Sequence, residues 1–515
     1  MTRNIRRLAT YLLVAFFVVS AGLAYWQVVE ADALSAREDN PEVISLRRNA
    51  LRGNIFDASG ELLAWSERAE GFSRRVYADQ TFTHAIGYAS LALGTTGIER
   101  AYDGFLTGQA DPNPVRQVVD EVLQREPQPN DLRLTIDRRL QDFAAAQLGG
   151  QSGSVVALDP RTGAVLALVS SPTFDANPLS DEPEPATAAL RVIEQQPEAP
   201  LVNRAVDGRY VPGSIMKIVT AAGAIEVGVL RPDTTFEDQP REEVEGLVVQ
   251  GFTITEHDLG GIQPQLWAFS EALQVSSNIY FAHVGLEVGP ERYLERARRF
   301  GFCESLRVGP SDHPIAVAPS QVTPPAEDGT ACRPFADQVE LASAAFGQAA
   351  VQATPMQFAL VAATIANDGL MPEPYLVADV LAHSSDGAPS TQVLDRHGVG
   401  GGRRVVSPQT AAIVRSAMVD AVEAELGALF AGAAAVDLYG ITGVETAGKT
   451  GTAQRGENLP PHSWFIGFAP AGADEQPAIA VAVIVEGAGS GATQAAPIGG
   501  QVMAEWLRVA GHPGG

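Results

Sequence analysis

Ser214 and Lys217 have the residue types and the spacing of a nucleophile and its base. Residues three positions apart share one face of a helix, and the apolar run after Ser214 predicts a helix that is buried on every side. Burial disfavours the charged form of a lysine, so the Lys217 amine can take the proton of the Ser214 hydroxyl. The free N–H groups of a helix N-terminus favour negative charge that develops there. The alternative is a helix-capping serine beside a lysine with no special role.

The scarcity of lysine gives weight to both lysines of the chain. The 515 residues include 36 lysines and arginines, and of these only Lys217 and Lys449 are lysines. A mutational bias that turned surface lysines into arginines fits the composition, which is rich in alanine and glycine. Arginine does not release its proton in a protein, whereas a buried lysine can become neutral. The two positions that kept lysine are therefore those that arginine could not fill.

The second lysine opens the motif Lys449-Thr450-Gly451-Thr452, in a segment that is predicted to be a strand over residues 447–454. Glycine within a strand often marks the close approach of a ligand or of another backbone. A lysine and two threonine hydroxyls suit a substrate carboxylate, and a strand N–H group can face an oxyanion. The alternative is an ordinary edge strand.

A third motif, Ser276-Ser277-Asn278, precedes an apolar segment over residues 279–286. By itself this motif predicts a helix N-cap and no more. A functional interpretation of Ser276 and Asn278 needs the two lysine motifs beside it.

Two histidines near the motifs carry less weight. His283 lies in an apolar helix and is more typical of a satisfied core residue than of a catalytic one. His462 either lines a cleft or hydrogen-bonds to its strand neighbours. No cluster of histidine, cysteine and carboxylate residues has metal-ligand spacing, and we expect neither a metal nor a cofactor.

The motifs must be positioned by the helices and strands of the larger predicted domain, which has strands at both ends and helices between them. A hairpin is predicted for residues 154–158 and 164–169, which flank a turn that contains proline and glycine. Three strands near the C-terminus are predicted over residues 447–454, 464–468 and 478–486. Three helices between the hairpin and these strands are predicted over residues 215–227, 338–346 and 355–366. This order predicts an α+β fold in which one antiparallel sheet packs against helices.

The N-terminus predicts a single transmembrane helix. Arg3, Arg6 and Arg7 precede an uncharged run over residues 8–29, which is long enough to span a bilayer. The arginines predict that the N-terminus lies in the cytoplasm and that the chain after residue 30 lies outside it. The alternative is a cleavable signal peptide, because small residues occur at positions 20–24, although the apolar region of a signal peptide is normally shorter.

Three domains are predicted: a cytoplasmic tail and anchor over residues 1–30, a small pedestal over 31–130, and a larger domain over 131–515. A polar, proline-containing stretch at 126–130 predicts the linker between the last two, and residues 181–200 predict a solvated excursion. The net charge of −25 is spread along the chain, which argues against a basic groove for nucleic acid.

Cys303 and Cys332 are the two cysteines of the chain, and both lie in the part that is predicted to be outside the cytoplasm. They can close a disulfide in an oxidising compartment. The alternative is two unpaired thiols, because the sequence does not show whether the two residues come within bridging distance.

The three motifs, in this order, resemble the S-x-x-K, S-x-N and K-[ST]-G motifs of the penicillin-binding proteins. The resemblance runs nearly end to end, since Arg52-Gly53 and Gly97-Ile98-Glu99 are similar to signatures of the family's pedestal. The resemblance is to class B, the monofunctional transpeptidases. A class A protein would carry a glycosyltransferase domain between anchor and pedestal, and this chain has no room for one there. The resemblance implies a transpeptidase domain that is similar to the serine β-lactamases.

The resemblance also implies roles for the motif residues. In acylation, Ser214 would be the nucleophile, Lys217 its base and Ser276 the proton relay. In substrate binding, Asn278 would hold the substrate amide. The strand with Lys449, Thr450, Gly451 and Thr452 would bind the terminal carboxylate. The backbone N–H groups of Ser214 and Thr452 would form an oxyanion hole. The chain departs from the family at Ile215, where many relatives have threonine, and in its short pedestal.

The activity that the resemblance implies is that of a membrane-anchored D,D-transpeptidase, which cross-links peptidoglycan outside the cytoplasmic membrane. Its partners would be peptidoglycan stem peptides, β-lactams as inhibitors, the cytoplasmic membrane, a polytopic glycan polymerase and other wall-synthesis proteins. One alternative is a D,D-carboxypeptidase or β-lactamase on the same scaffold, which the pedestal disfavours. The other is a non-catalytic scaffold or antibiotic sensor, which the intact motifs disfavour.

The two lysines predict an asymmetric response to arginine. Lys217→Arg is expected to abolish acylation by a penicillin, because the role of this residue requires the loss of a proton. Lys449→Arg is expected to impair acylation less, because part of its role is positive charge. The rate of labelling by a fluorescent penicillin measures both effects. Equal tolerance of arginine at the two positions would contradict the inference from lysine scarcity.

Overall fold

The computed structural model describes residues 2–26, 50–69, 71–110, 128–259, 261–327, 329, 332–385, 387–398, 401–456 and 459–512. The chain forms two compact units, which are residues 1–51 with 66–74 and residues 52–65 with 75–515. The first unit contains the N-terminal helix α1 (Thr2–Ala24). The second unit contains every residue of the three sequence motifs.

The described residues contain runs of strands separated by runs of helices. The strands are β1 (Ile55–Phe56), β2 (Leu62–Ala69), β3 (Phe72–Tyr77), β4 (Ala89–Ser90), β5 (Gly94–Thr95), β6 (Asn130–Leu134), β7 (Gly153–Leu158), β8 (Val165–Ser171), β9 (Leu247–Val249), β10 (Phe252–Ile254), β11 (Leu306–Val308), β12 (Ile315–Val317), β13 (Leu370–Pro372), β14 (Val377–Ala382), β15 (Val393–Arg396), β16 (Gly402–Arg404), β17 (Ala447–Ala453), β18 (His462–Ala469) and β19 (Ile479–Val485). The helices after α1 are α2 (Thr83–Ile86), α3 (Gly97–Ala101), α4 (Asp103–Leu106), α5 (Arg138–Leu148), α6 (Pro183–Glu194), α7 (Met216–Glu226), α8 (Gln239–Glu245), α9 (Phe269–Gln274), α10 (Asn278–Val288), α11 (Pro290–Arg299), α12 (Gln338–Ala345), α13 (Pro355–Ala366), α14 (Pro408–Glu423), α15 (Glu425–Ala431) and α16 (Ala495–Val509).

A five-stranded antiparallel sheet in the order β17-β18-β19-β7-β8 lies in the second unit. Successive side chains of a strand point to opposite faces, and in β19 Val481 and Val483 belong to one apolar cluster while Ala482 and Ile484 belong to another. Helices α5 and α16 cover the first face, and α13 covers the second. The result is a three-layer arrangement in which both faces of the sheet are buried.

The elements that were expected for this layer arrangement are present, with small shifts of their ends. The hairpin is β7–β8, and the three C-terminal strands are β17, β18 and β19. The three predicted helices are α7, α12 and α13. Every residue of α13 is buried, which agrees with its largely apolar sequence. The predicted α+β fold, with an antiparallel sheet flanked by helices, is confirmed.

A second sheet has six strands in the order β15-β14-β6-β1-β2-β3. Strand β1 pairs in parallel with β6, and β14 pairs antiparallel with the other side of β6. Strands β14 and β15 lie far along the chain from the predicted pedestal at residues 31–130, so this sheet joins distant segments. The boundaries at residues 30 and 130 stay predictions, and residues 31–49 and 126–127 lie outside the described part of the chain.

Glu99 holds together the N-terminal part of the second unit. Its buried carboxylate accepts hydrogen bonds from Arg52 Nε at 2.8 Å and from Arg75 Nε at 2.6 Å. Burial alone would raise the pKa of Glu99, but the charges of Arg75 and Arg52 outweigh it and hold the pKa below its ordinary value. These contacts give the pedestal-like motif residues Arg52 and Glu99 a structural role.

Helix α1 is long and apolar enough to cross a membrane, as judged by length and composition. Its segment Arg3–Leu23 is largely apolar, and none of the side chains in this segment is buried. Among the described residues it is the one helix with these properties. The predicted apolar run over residues 8–29 therefore falls on this helix, which begins earlier, at Thr2, while residues 27–29 lie outside the described residues.

The predicted solvated excursion over residues 181–200 contains helix α6. Pro183 lies in its first turn, and Ala186 and Ile193 are buried while most other side chains of the helix are exposed or half-buried. Proline fits the first turn of a helix because the N–H group that it lacks would have no partner there. The segment is solvated over most of its surface, yet helical.

Cys303 and Cys332 form a disulfide in the structure, with their Cα atoms 5.4 Å apart. That separation lies within the ordinary range for bridged cysteines. The bridge closes the loop that contains strands β11 and β12.

Candidate active site

The turn that carries Ser214 packs against strand β17. Gly213 opens this turn with a φ of 58°, a left-handed conformation that glycine adopts without strain. A Cβ atom on Gly451 of β17 would lie 2.7 Å from the carbonyl oxygen of Pro212, so glycine at this position permits the close approach. Ser214 lies within the single 3-10 turn Gly213–Ile215, immediately before α7 and not inside it. This turn fixes Ser214 beside the edge of the five-stranded sheet.

Lys217 lies in the first turn of α7, fully buried, and its Nζ contacts four oxygen atoms. Two are carbonyl oxygens, the backbone oxygen of Ser276 and Oδ1 of Asn278, the latter at 2.9 Å. Two are hydroxyl oxygens, Ser214 Oγ at 3.0 Å and Ser276 Oγ at 3.2 Å. The carbonyl oxygens can only accept, so they take two N–H groups of the amine. In the neutral amine, the lone pair of the nitrogen is then left for the hydroxyls.

Burial drives the Lys217 amine towards its neutral form. Removal from water lowers the pKa of Lys217 well below its ordinary value, and the positive charge of Lys449 lowers it further, against an opposing contribution from Glu256. A neutral amine 3.0 Å from the Ser214 hydroxyl can act as its general base.

The junction between α9 and α10 turns Ser276 towards Lys217. Ser276 has a φ of 62°, which is uncommon for a residue with a side chain. Ser277 caps α10, since its Oγ accepts a hydrogen bond from the N–H of Tyr280 at 3.1 Å. The helix N-cap that the sequence predicts for this motif is therefore Ser277, while Ser276 and Asn278 on either side contact the amine.

Glu256 belongs to the site, although no sequence motif contains it. Its side chain is 3% exposed, and its carboxylate accepts from the N–H groups of Asn278 and Ile279 at 2.8 and 3.0 Å. Burial alone would raise the pKa of Glu256, but its contacts with His257, the charge of Lys217 and the Asn278 N–H together hold that pKa below its ordinary value. No signal in the sequence distinguishes this glutamate among the 61 acidic residues of the chain.

Lys449 is buried on β17, an edge strand that pairs with β18 alone among the described strands. Its Nζ donates to the carbonyl oxygen of Thr450 at 3.1 Å, and removal from water lowers its pKa to about 7. Thr452 is exposed, and its Oγ1 accepts from the N–H of Gly491 at 3.2 Å. The side of β17 that faces away from β18 can offer backbone N–H and C=O groups to an extended ligand, as edge strands do.

The structure brings the predicted site residues together in two sets. The first set surrounds one nitrogen atom and consists of Ser214, Lys217, Ser276 and Asn278. The second set lies on β17, which the Ser214 turn contacts, and consists of Lys449, Thr450, Gly451 and Thr452. A hydroxyl nucleophile, an amine base and a strand with a buried lysine suit acyl transfer from a substrate that carries a carboxylate.

His462 and His283 have partners of their own in the structure. Nδ1 of His462 accepts from the N–H of Gly487 at 3.3 Å, and burial lowers the pKa of His462 to about 4. Nε2 of His283 lies 2.6 Å from Oε2 of Glu242, and its ring stacks on Phe236. These contacts favour a structural role for both histidines.

Sequence models of two protein domains match the chain. The model of the penicillin-binding protein transpeptidase domain matches residues 153–504, which contain all three motifs. The model of the penicillin-binding protein A dimerisation domain matches residues 52–132. The first match alone spans more than half of the chain.

Named relatives are similar over nearly the whole length. The chain is 36% identical to the peptidoglycan D,D-transpeptidase PbpA of Mycolicibacterium smegmatis, over 99% of each protein. It is 34% identical to the PbpA of Mycobacterium tuberculosis, over 98% of each. A solved structure of penicillin-binding protein A from M. tuberculosis, an imipenem acyl-enzyme complex, matches with a TM-score of 0.75 at 33% identity, over 90% of this chain and 99% of that one. The chain therefore belongs to the penicillin-binding proteins that carry a transpeptidase domain.

Proposed function

We propose that the chain is a membrane-anchored D,D-transpeptidase, which cross-links peptidoglycan stem peptides through an acyl-enzyme on Ser214. The observation that carries the proposal is the buried amine of Lys217, 3.0 Å from Ser214 Oγ. Similarity to proteins that are named peptidoglycan D,D-transpeptidases supports it. So does similarity to a penicillin-binding protein that forms an acyl-enzyme with imipenem.

Acylation begins when Ser214 Oγ attacks the carbonyl carbon of the D-Ala-D-Ala bond and its proton passes to Nζ of Lys217. The carbonyl oxygen becomes an oxyanion, for which the backbone N–H groups of Ser214 and Thr452 are the proposed donors. Ser276 Oγ, 3.2 Å from the same Nζ, relays a proton to the leaving nitrogen. The C–N bond then breaks, D-alanine leaves, and an ester joins Ser214 to the stem peptide.

The ester is resolved by the amine of a neighbouring stem peptide. This amine attacks the ester carbonyl carbon and gives up a proton through Ser276 and Lys217. The C–O bond breaks, Ser214 Oγ recovers a proton, and a new peptide bond joins the two strands. Attack by water in place of the amine would give a hydrolase.

Substrate binding is assigned to Asn278 and to strand β17. Because Oδ1 of Asn278 accepts from Lys217, its amide NH₂ group remains to donate to a substrate carbonyl. A terminal carboxylate beside Lys449 would form a charge-assisted hydrogen bond and favour the protonated lysine. The hydroxyls of Thr450 and Thr452 would complete the carboxylate site.

The proposed topology places α1 in the cytoplasmic membrane, the N-terminus in the cytoplasm and the catalytic unit outside. Three arginines before the apolar run support this orientation, since basic residues favour the cytoplasmic side: Arg3, Arg6 and Arg7. The Cys303–Cys332 disulfide supports it too, because disulfides persist in oxidising compartments. A polytopic glycan polymerase and other wall-synthesis proteins are the proposed partners.

The full chain in detergent is expected to bind fluorescent penicillin covalently, whereas Ser214→Ala is expected to bind none, because Ser214 Oγ accepts the acyl group. Gel fluorescence after denaturation measures the bond, and Ser390→Ala, in the loop between β14 and β15, is a matched control. A label that persists for many minutes supports a transpeptidase, while turnover within seconds would indicate a β-lactamase. Labelling of Ser214→Ala would contradict the assignment.

The second-order rate constant of acylation is expected to fall as pH rises through about 7, where free Lys449 loses its proton and its attraction for a carboxylate. On the acid side, the rate is expected to fall where Lys217 becomes protonated, which its burial places well below the ordinary lysine pKa. In Lys449→Arg the fall on the alkaline side should be absent up to about pH 9, because arginine stays protonated. A wild-type alkaline limb that this substitution leaves in place would contradict the role of Lys449.

A further inference from the structure

Glu256 contacts the start of helix α10 at two backbone groups. Its Oε1 accepts from the N–H of Asn278 at 2.8 Å, and its Oε2 accepts from the N–H of Ile279 at 3.0 Å. The first N–H groups of a helix have no acceptor within the helix, and the helix dipole favours a negative charge beside them. Ser277 satisfies the next one, that of Tyr280. The start of α10 is thereby held by a carboxylate from the loop that follows β10.

The hydroxyl of Ser277 links Glu256 to a second carboxyl group. Ser277 Oγ lies 2.9 Å from Oε2 of Glu256 and 2.8 Å from Oε1 of Glu243. One hydroxyl hydrogen can serve only one of these oxygens. Burial raises the pKa of Glu243 above its ordinary value, although its hydrogen bonds with Ser277, Gln239 and Trp267 act in the opposite direction. The Ser277 hydroxyl therefore lies between the two carboxyl groups, and its oxygen also accepts from the N–H of Tyr280.

The residue before this anchored segment has an uncommon backbone conformation. Ser276 has a φ of 62°, a region that residues other than glycine occupy when the surrounding structure holds them there. In that conformation both its carbonyl oxygen and its Oγ contact Nζ of Lys217. The three residues that follow it, Ser277, Asn278 and Ile279, are all hydrogen-bonded to Glu256. Glu256 therefore fixes the chain on the C-terminal side of the strained residue.

We propose that Glu256 is a positioning residue for acylation: its carboxylate clamps residues 277–279 and so holds the Ser276 and Asn278 oxygens on the Lys217 amine. This inference rests on the proposed function and adds a residue to it. Glu256 does not contact Lys217 through a hydrogen bond, and it acts through Ser276 and Asn278. Its negative charge also raises the pKa of Lys217 relative to what burial and Lys449 would give alone.

The other charged groups around the clamp define what a substitution changes. Lys217 faces Lys449 from β17 and Glu256 from the loop after β10. Glu256 faces His257, whose Nδ1 lies 2.8 Å from its Oε1, and Glu243 from α8. Glu256→Gln removes one negative charge and leaves the other four groups in place. Because glutamine has a single acceptor oxygen, its NH₂ group would face one of the donors of α10.

The test compares acylation of the full chain in detergent by a fluorescent penicillin, in wild type and in Glu256→Gln, across pH. The second-order rate constant is expected to fall by about 10- to 100-fold, the usual consequence of a small misplacement of catalytic groups. The acid limb of the pH profile is expected to move to lower pH, because loss of the carboxylate lowers the pKa of Lys217. Glu242→Gln is the matched control: Glu242 is a neighbouring glutamate that contacts α10 through His283. It should change neither the rate constant nor the acid limb.

End-point labelling counts the molecules with an intact site, and a thermal melt measures folding. Together they distinguish misplaced catalytic groups from loss of structure. A wild-type rate constant and an unmoved acid limb in Glu256→Gln would overturn the proposal. So would a lower labelled fraction with an unchanged rate constant, which would mean that Glu256 only supports folding. If wild type itself takes no penicillin, the proposed function fails, and this inference fails with it.

Glu256→Asp provides a second variant in case the glutamine variant does not fold. It keeps the charge but shortens the side chain, so it is expected to lower the rate constant while the acid limb stays near that of wild type. A wild-type rate constant in Glu256→Asp would contradict the clamp.

Discussion

The buried amine of Lys217 imposes the constraint that the rest of the candidate active site satisfies. A charged ammonium is unfavourable away from water, so burial favours the neutral amine. The neutral amine needs acceptors for its two N–H groups, which are the Ser276 carbonyl and Asn278 Oδ1, and a donor for its lone pair, which is the Ser214 hydroxyl. The contacts that make burial of the amine tolerable are therefore the same contacts that the proposed acylation uses. Arginine could not take this place because it does not lose its proton.

Distant segments of the chain meet around the Ser214 turn, and small residues allow them to approach. A Cβ atom on Gly347 would lie 1.9 Å from the carbonyl oxygen of Gly213, the residue before Ser214. A Cβ atom on Gly491 would lie 2.5 Å from the carbonyl oxygen of Gly451 on β17. Side chains at these positions would separate the Ser214 turn and the edge strand from their supports. Beyond the edge strand, the buried sheet packs against α13.

Sequence patterns predict the secondary-structure elements and motif residues that depend only on neighbouring residues in the chain. The hairpin β7–β8 and helix α13 follow from runs of apolar residues, because such runs report burial directly. The pairing of β14 with β6 could not be predicted, since it depends on the register of segments that are far apart in the chain. The role of Glu256 could not be predicted for a related reason: a lone glutamate in a loop acquires its partners only when the start of α10 folds against it. The motifs identify Ser276 and Asn278 as site residues, but they do not identify Glu256, which contacts the same segment.

Direct titration of Lys217 tests the central claim, and the lysine content of the chain makes the experiment simple. The full chain labelled with carbon-13 at the lysine ε-carbon should give two side-chain signals, because only Lys217 and Lys449 are lysines. The spectrum of Lys449→Arg assigns them. A buried, neutral Lys217 is expected to titrate well below the ordinary lysine pKa, as its removal from water and the charge of Lys449 require. A Lys217 signal that titrates at the ordinary value would contradict the neutral amine on which the proposed acylation depends.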